Sequence, residues 1–502
     1  MHPVGRFTRR ALLLSGAKGA AGGGVLLALA ACGATPTPQV IEKVVEKEVT
    51  KVIEKEVTKL VEGTPQVVQQ TVVVKETVVV QAPTKAVEPV TVELLTPDWG
   101  EKYNKIVFED VAGWFHDQHP ECTIKHVPAQ SHQEKLLTQI AGGMPPDLTY
   151  INYVNAIGFA FRGVLLPLDE RFAAANLAID DFLHGVTHSL MWNGKIYGFP
   201  MCYDAMGFYW NKNVYEEVGL DPEKPPRTIA ELEEHSKKIL KKTATGDIER
   251  VGYAPSSFSF ITFAYMRGGQ FYLDNEKKVT ADDPKIVEDL QWEVALMKDL
   301  DVNKVSAFWS ANSEAINAGT VFPAGKMGLK YDGIWMGSTF EEAAAGTDFR
   351  YGLTYVPSVN GDIKEQEKLY QPSWGLGIPQ GAKQPDWAWR FAKWYQVDNG
   401  LDVCVYTEST ELYKPLVDKW IDRYVEEKLG GQIKAYGKEF LQATSMARSW
   451  WPAMPVSSMY NDEVGRAYDY AVHDQATPKQ ALADCTTKVQ TELDRVLAAL
   501  GG

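Results

Sequence analysis

Aromatic residues are nearly absent from the front of the chain. Phe7 is the only one before Trp99, and all 14 tryptophans and all 22 tyrosines lie at or beyond that point. A front of roughly 90 residues therefore cannot build a core, while the roughly 400 that follow can build two. Positive charge is also in short supply. The 51 Lys+Arg face 65 Asp+Glu, a formal net charge of −14, which excludes nucleic acid as the main partner because phosphate binding needs a concentrated basic surface. With 45% hydrophobic residues and a mean hydropathy of −0.23, the chain is too polar for a multi-span membrane protein and too apolar for disorder throughout. Its length predicts two or three domains.

Catalytic signatures are missing as well. There is no Gly-x-Ser-x-Gly elbow and no His-Glu-x-x-His zinc motif. Gly319 to Lys326 resembles a phosphate loop but has one residue too many, and Met327 stands where Ser or Thr is needed. Adjacent acids such as Asp180-Asp181 and Glu341-Glu342 read as solvated helix starts, since a hydrolase needs two carboxylates facing each other across a bond. His116, His119, Cys122 and His126 are the one dense cluster of metal-ligand types, and Pro120 splits them between a helix end and a strand. The expectation is a protein that is not an enzyme and holds neither metal nor cofactor.

Residues 1–31 carry Arg6, Arg9, Arg10 and Lys18, no acid, and an apolar run from Ala20 to Ala31. That is a secretory signal, a little short for a permanent transmembrane helix. Thr8-Arg9-Arg10-Ala11-Leu12-Leu13 resembles the twin-arginine export signal. Leu29-Ala30-Ala31-Cys32 resembles the bacterial lipobox, which implies cleavage before Cys32, lipidation of its thiol and amino group, and anchoring to the outer face of the cell membrane. Residues 32–89 read as the lipidated cysteine and a low-complexity stalk. Val45-Glu46-Lys47-Glu48-Val49-Thr50-Lys51-Val52 returns as Ile53-Glu54-Lys55-Glu56-Val57-Thr58-Lys59-Leu60. The spacing of its apolar residues predicts one helical stripe, although the Val and Thr content weakens helix propensity. The flanking Pro-containing and Val-rich runs predict a semi-extended spacer.

From Val90 the pattern alternates strand and helix. Strands are predicted at 90–95, 123–127 and 147–152, with helices over 105–119 and 133–141, so a doubly wound α/β sheet begins here. Several segments then resemble, in order, those of the bacterial extracellular solute-binding proteins of the sugar-binding, maltose-binding type. They are Ala141-Gly142-Gly143-Met144-Pro145-Pro146-Asp147-Leu148, Gly163-Val164-Leu165-Leu166-Pro167-Leu168-Asp169, Gly194-Lys195-Ile196-Tyr197-Gly198-Phe199-Pro200, Tyr209-Trp210-Asn211-Lys212 and Pro226-Arg227-Thr228-Ile229-Ala230-Glu231-Leu232. Phe322-Pro323-Ala324-Gly325-Lys326-Met327-Gly328 with Gly333-Ile334-Trp335, and Trp374-Gly375-Leu376-Gly377-Ile378-Pro379, complete the set. Gly328 departs from the family's usual Ala, and the last hundred residues match only in helical character.

The resemblance implies a two-lobed periplasmic-binding-protein type II fold, each lobe a doubly wound sheet, with a ligand cleft between lobes. Lobe one would be 90–203 and 357–398, lobe two 206–353 and 400–502, with hinge crossings near Cys202-Asp204 and Thr354-Val356. It implies a monomeric, extracytoplasmic receptor that hands a small-molecule solute, a carbohydrate and by its many tryptophans an oligosaccharide, to the permease of an ABC importer. A receptor for a glycerol phosphodiester or a peptide, and an anchored glycan-acting enzyme, are the alternatives.

A sugar cleft needs flat aromatic side chains for C–H faces and fixed polar groups for hydroxyls. Trp99 follows the first strand, Asn152 and Tyr153 follow the third, and Tyr203 and Asp204 sit at the lobe crossing. Asp332 and Trp335 flank an apolar strand end, Ser373 and Trp374 begin the returning strand, and Arg448 and Trp450 precede two prolines. Trp387, Trp389 and Trp394 fall on an amphipathic helix and read as core. Cys122, Cys202, Cys404 and Cys485 could form disulfides in three pairings or remain free thiols.

Overall fold

The computed structural model describes residues 43–61, 64–82, 88–429 and 432–499. The export signal, Arg9-Arg10 and the lipobox Cys32 lie outside the described residues. The chain divides into two compact units, Met1–Val87 and Glu88–Gly502.

In the first unit, β1 (Lys43–Val61) and β2 (Thr64–Ala82) pair antiparallel along their whole length, from Lys43 opposite Ala82 to Val61 opposite Thr64. The helical stripe predicted for the repeat does not form. An eight-residue repeat is four strand periods as well as about two helical turns, and the β-branched residues decide between them. Register sets Val45 opposite Val80, Val52 opposite Val73, Ile53 opposite Val72 and Val57 opposite Val68.

Besides three short two-stranded ribbons, the second unit has two main sheets. The strands are β3 (Val90–Pro97), β4 (Cys122–Ala129), β5 (Leu148–Asn152), β6 (Phe199–Tyr203), β7 (Met206–Asn211), β8 (Leu329–Gly333), β9 (Tyr351–Thr354) and β10 (Ser373–Gly377). The larger sheet runs β4-β3-β5-β10-β6, with β3 parallel to β4 and β5, and β10 antiparallel to β5 and β6. Its first three strands lie where the alternation predicts them. The helix Asp110–Gln118 buries Val111 and Phe115 and ends before Pro120.

The smaller sheet, β8-β7-β9, is antiparallel throughout. It is leaner than the doubly wound sheet expected for the second lobe, because the long β7–β8 connection is spent on helices. All six residues of β7 are buried, and its pleat serves both faces. Phe208 and Trp210 face one core, where Phe208 lies 5.9 Å from Phe263. Tyr209 faces the other, 5.2 Å from Phe340. The capping box read in Thr228 and Glu231 closes on the helix Ile229–Ile239, with Thr228 N donating to Glu231 Oε2 (2.9 Å) and Glu231 N to Thr228 Oγ1 (3.1 Å).

The chain passes between the sheets at Asp204-Ala205, between β6 and β7. The second passage comes later than Thr354-Val356. After β9 the chain stays beside the smaller sheet's helices, where Ser358 N donates to Arg227 O and its own carbonyl accepts from Ile229 N. It crosses only at Tyr370–Pro372. There the two passages are tied together: Asp204 N donates to Pro372 O (2.9 Å), and Met206 N to Gln371 Oε1 (3.2 Å). A third segment joins them, since Thr410 Oγ1 bonds both the N–H and the carbonyl of Tyr203 (2.9 and 2.8 Å).

Helices Lys414–Glu427, Lys434–Ser445, Ser457–Val472 and Pro478–Ala498 make up most of the last hundred residues. Trp389 and Trp394 are core, and Trp387 is half-buried beneath the Arg390 guanidinium, 4.6 Å from its ring. Cys122, Cys202, Cys404 and Cys485 are free thiols. Among the described residues, no helix is long and apolar enough to cross a membrane.

Candidate functional site

A cavity of about 480 Å³ opens where the two sheets meet, within the range of small-ligand sites. Trp99, Tyr150, Tyr203, Asp204 and Trp374 line it from the larger sheet; Ile334, Trp335, Met336 and Thr339 line it from beyond β8. Thr407, Glu408, Ser409 and Thr410 come from the third crossing segment.

Trp99 is held by the turn that ends β3. Asp98 Oδ1 accepts from Gly100 N (3.0 Å) and Asn104 Nδ2 (2.8 Å), and Trp99 N donates to Asn104 Oδ1 (3.1 Å). Its ring meets Tyr150 edge-on at 5.0 Å and Trp374 at 6.1 Å. Trp374 sits where the β10–β6 register slips, between Trp374 and Gly375, an irregularity that re-aims a side chain. Its Nε1 donates to Asp204 Oδ1 at 3.0 Å. Burial pushes the Asp204 carboxyl up to about 7 from 3.8. The Trp374 bond works against that shift and the Asp332 charge adds to it.

From the smaller sheet, Trp335 folds back over the strand end. A Cβ on Gly333 would lie 2.0 Å from the Trp335 ring, so only glycine lets the indole lie there. Glu408 adopts a left-handed backbone (φ 55°), and its Oε2 accepts from Ser338 Oγ at 2.9 Å. Burial raises its carboxyl above the usual range.

Of the residues singled out in the sequence, Trp99, Tyr203, Asp204, Trp335 and Trp374 come together here. The others do not reach the cavity. Asn152 Oδ1 closes a turn, accepting from Val154 N (3.2 Å) and Asn155 N (3.0 Å). Tyr153 packs against Tyr370 and Trp374, at 5.7 and 6.4 Å. Asp332 accepts from Gly333 N (2.8 Å) and pairs with Lys330 (2.8 Å). Ser373 is buried, 2.6 Å from Ser189 Oγ. Arg448 and Trp450 line a separate hollow with Tyr265, Tyr272 and Lys368, where Trp450 stacks on His188 at 3.8 Å. Its neighbour Trp451 is buried. The His/Cys cluster is scattered: His116 Nδ1 lies 2.7 Å from Cys122 O, His126 Nε2 lies 2.7 Å from Thr96 Oγ1, and the Cys122 side chain is buried.

Sequence reasoning missed Tyr103, Tyr150, Glu408 and Thr410. The polar run Thr407-Glu408-Ser409-Thr410-Glu411, set between two helical patterns, was the available signal for the last two. Tyr103 gave none.

The family profile described as bacterial extracellular solute-binding protein matches residues 95–398. The chain belongs to this family. This solute-binding protein is 24% identical over 293 residues to the mannitol-binding protein of Pseudomonas aeruginosa, a match covering 56% of this chain and 63% of that one. The chain thus spans less than two thirds of the length of the curated relatives it matches. Among solved structures it resembles CpMnBP1 with mannobiose bound (TM-score 0.66, 22% identity, 80% of this chain and 100% of that one). It also resembles maltose-bound T. maritima MalE3 (TM-score 0.62, 20% identity, 80% and 100%). At such identities the likeness speaks to the fold, a two-lobed α/β architecture.

Proposed function

We propose that this solute-binding protein captures a carbohydrate, an oligosaccharide in preference to a monosaccharide, and delivers it to the permease of an ABC importer without transforming it. The observation that carries this reading is the cavity at the meeting of the two sheets. Trp99, Trp374, Tyr150 and Trp335 supply flat faces for sugar C–H surfaces, and Asp204 and the Thr407–Thr410 segment supply hydroxyl partners. The relatives named above, which bind mannitol, mannobiose and maltose, support it. A glycerol phosphodiester fits poorly, because none of the described residues lining the cavity is Lys, Arg or His. Twin-arginine export, lipid anchoring at Cys32 and a monomeric state belong to the same proposal.

The test is a thermal-shift screen of the chain lacking residues 1–32 against sugars, glycerol phosphodiesters and peptides. A ligand at 100 times its dissociation constant adds about 2.7 kcal/mol. The reading predicts a sugar that stabilises the protein, is recovered intact, and loses its effect in Trp335→Ala. No response to any sugar, or a cleaved product, would overturn it.

A further inference from the structure

The cavity is chemically one-sided. Asp204 and Glu408 line it, and no Lys, Arg, His, Asn or Gln does so among the described residues. Each hydroxyl of a neutral sugar is one donor and two acceptors, and its ring oxygen only accepts, so a site built for neutral sugars needs donors beside its carboxylates. Here the side-chain donors are hydroxyls, indole N–H groups and the Cys202 thiol.

Each acid spends one oxygen on the protein and keeps the other. Asp204 Oδ1 takes the Trp374 N–H, and Glu408 Oε2 takes the Ser338 hydroxyl. Oδ2 and Oε1 accept no hydrogen bond among the described residues, and both side chains are only partly buried. The surrounding cations are engaged elsewhere. Lys102 pairs with Glu342 (2.7 Å), Lys330 pairs with Asp332 (2.8 Å), and Lys428 lies over the Tyr406 ring (5.7 Å). Lys428 and Lys102 are near enough to Glu408 to favour its ionised form, though neither lines the cavity. The other titratable groups around Asp204 are Asp332, Cys202, Tyr150, Tyr153 and Tyr331, and around Glu408 Glu341, Tyr209 and Tyr424, none of them a cation. Glu408 holds its place in a left-handed backbone, a conformation that persists in a non-glycine residue only where its surroundings enforce it. Indole faces complete the arrangement, and a cation over an aromatic face is attracted by the ring quadrupole.

Resting on the carbohydrate reading, we propose that the ligand of this cavity is cationic: a sugar or oligosaccharide bearing a protonated amine, which pairs with the free oxygens of Asp204 and Glu408 beside the tryptophan faces. The amine supplies the positive charge that the lining lacks. Loading it restores the ionised form of carboxyls that burial disfavours.

Matched pairs that differ only in hydroxyl or free amine test this by calorimetry at neutral pH. Suitable pairs are glucose and glucosamine, galactose and galactosamine, mannose and mannosamine, and cellobiose against the fully deacetylated glucosamine disaccharide, with longer oligomers of each. At least one amine member should bind about tenfold or more tightly than its neutral partner, as expected for a charge-assisted contact. That ratio should fall toward one in the double variant Asp204→Asn, Glu408→Gln. A second readout needs no ligand: caesium should quench the cleft tryptophans more than iodide does, and the double variant should lose that bias. Neutral sugars that bind as tightly as every amine partner would overturn the charge proposal and leave the carbohydrate reading standing. Failure of all sugars at millimolar concentration would remove both.

Discussion

Asp204→Asn is the most informative single substitution, because its effect on stability should change with pH in a direction fixed by the structure. The carboxyl moves from 3.8 to about 7 on folding, so the folded state holds its proton over a range where the unfolded chain has released it. That preference contributes stability fully below pH 4 and loses it as pH rises through 7. At about 1.4 kcal/mol per pH unit, the ceiling is roughly 4 kcal/mol. The side chain is only partly buried, so about 2 kcal/mol is the working figure. Asparagine keeps an oxygen to accept the Trp374 N–H and carries no charge. The assay is urea unfolding of wild type and variant from pH 4.5 to 8.5, read as the difference between the two proteins. Taking the difference removes Glu411 and Asp289, which burial pushes up to about 8 and about 7 and which titrate in the same window. Relative to wild type, the variant should gain about 2 kcal/mol between the acidic and alkaline ends. A difference that stays flat, or that runs the other way, would refute the placement of Asp204 in a poorly solvated site.

Two further expectations follow from the packing. Arg267→Ala strands the fully buried Asp289, whose Oδ1 lies 2.7 Å from the guanidinium. It should cost about 3–5 kcal/mol in urea unfolding, the cost growing as pH rises; a loss under 1 kcal/mol would show that the pair is solvated. Burial pushes the thiols of Cys122 and Cys485 up to about 12 and those of Cys202 and Cys404 higher. All four should resist labelling at pH 8 when folded and react when unfolded without reductant, and fewer than four reactive thiols would reveal a bridge.

The sequence was most legible where one period dominates. The opening strands lie where the alternation places them, and the Thr228–Glu231 box closes because two side chains three apart satisfy each other's backbone. The stalk misled because its repeat of eight suits both helix and strand, so β-branching had to decide. The second crossing was misplaced by the detour of Ser358 to Lys368 along the smaller sheet, which leaves no periodic trace. Within the site, residues adjoining strand ends, such as Trp99, Asp204, Trp335 and Trp374, could be found because topology alone points strand ends at the cleft. Asn152 and Asp332 also adjoin strand ends, yet their carboxylate or amide oxygens are consumed by the backbone turns they close. Glu408 was invisible because its position depends on how a distant segment returns to the crossing.

The bonds that lash Asp204 to Pro372 and Tyr203 to Thr410 place the carboxylate, and Trp374 two residues further on, at the axis about which the lobes would turn. Points on an axle travel least. A ligand arriving in an open cleft would therefore meet Asp204 and Trp374 already in their final places, and these residues would set how firmly it is held before closure. Trp335 and Thr339 hang from the far lobe and would arrive last, so under the proposed function recognition would divide into an early part that selects and a late part that locks.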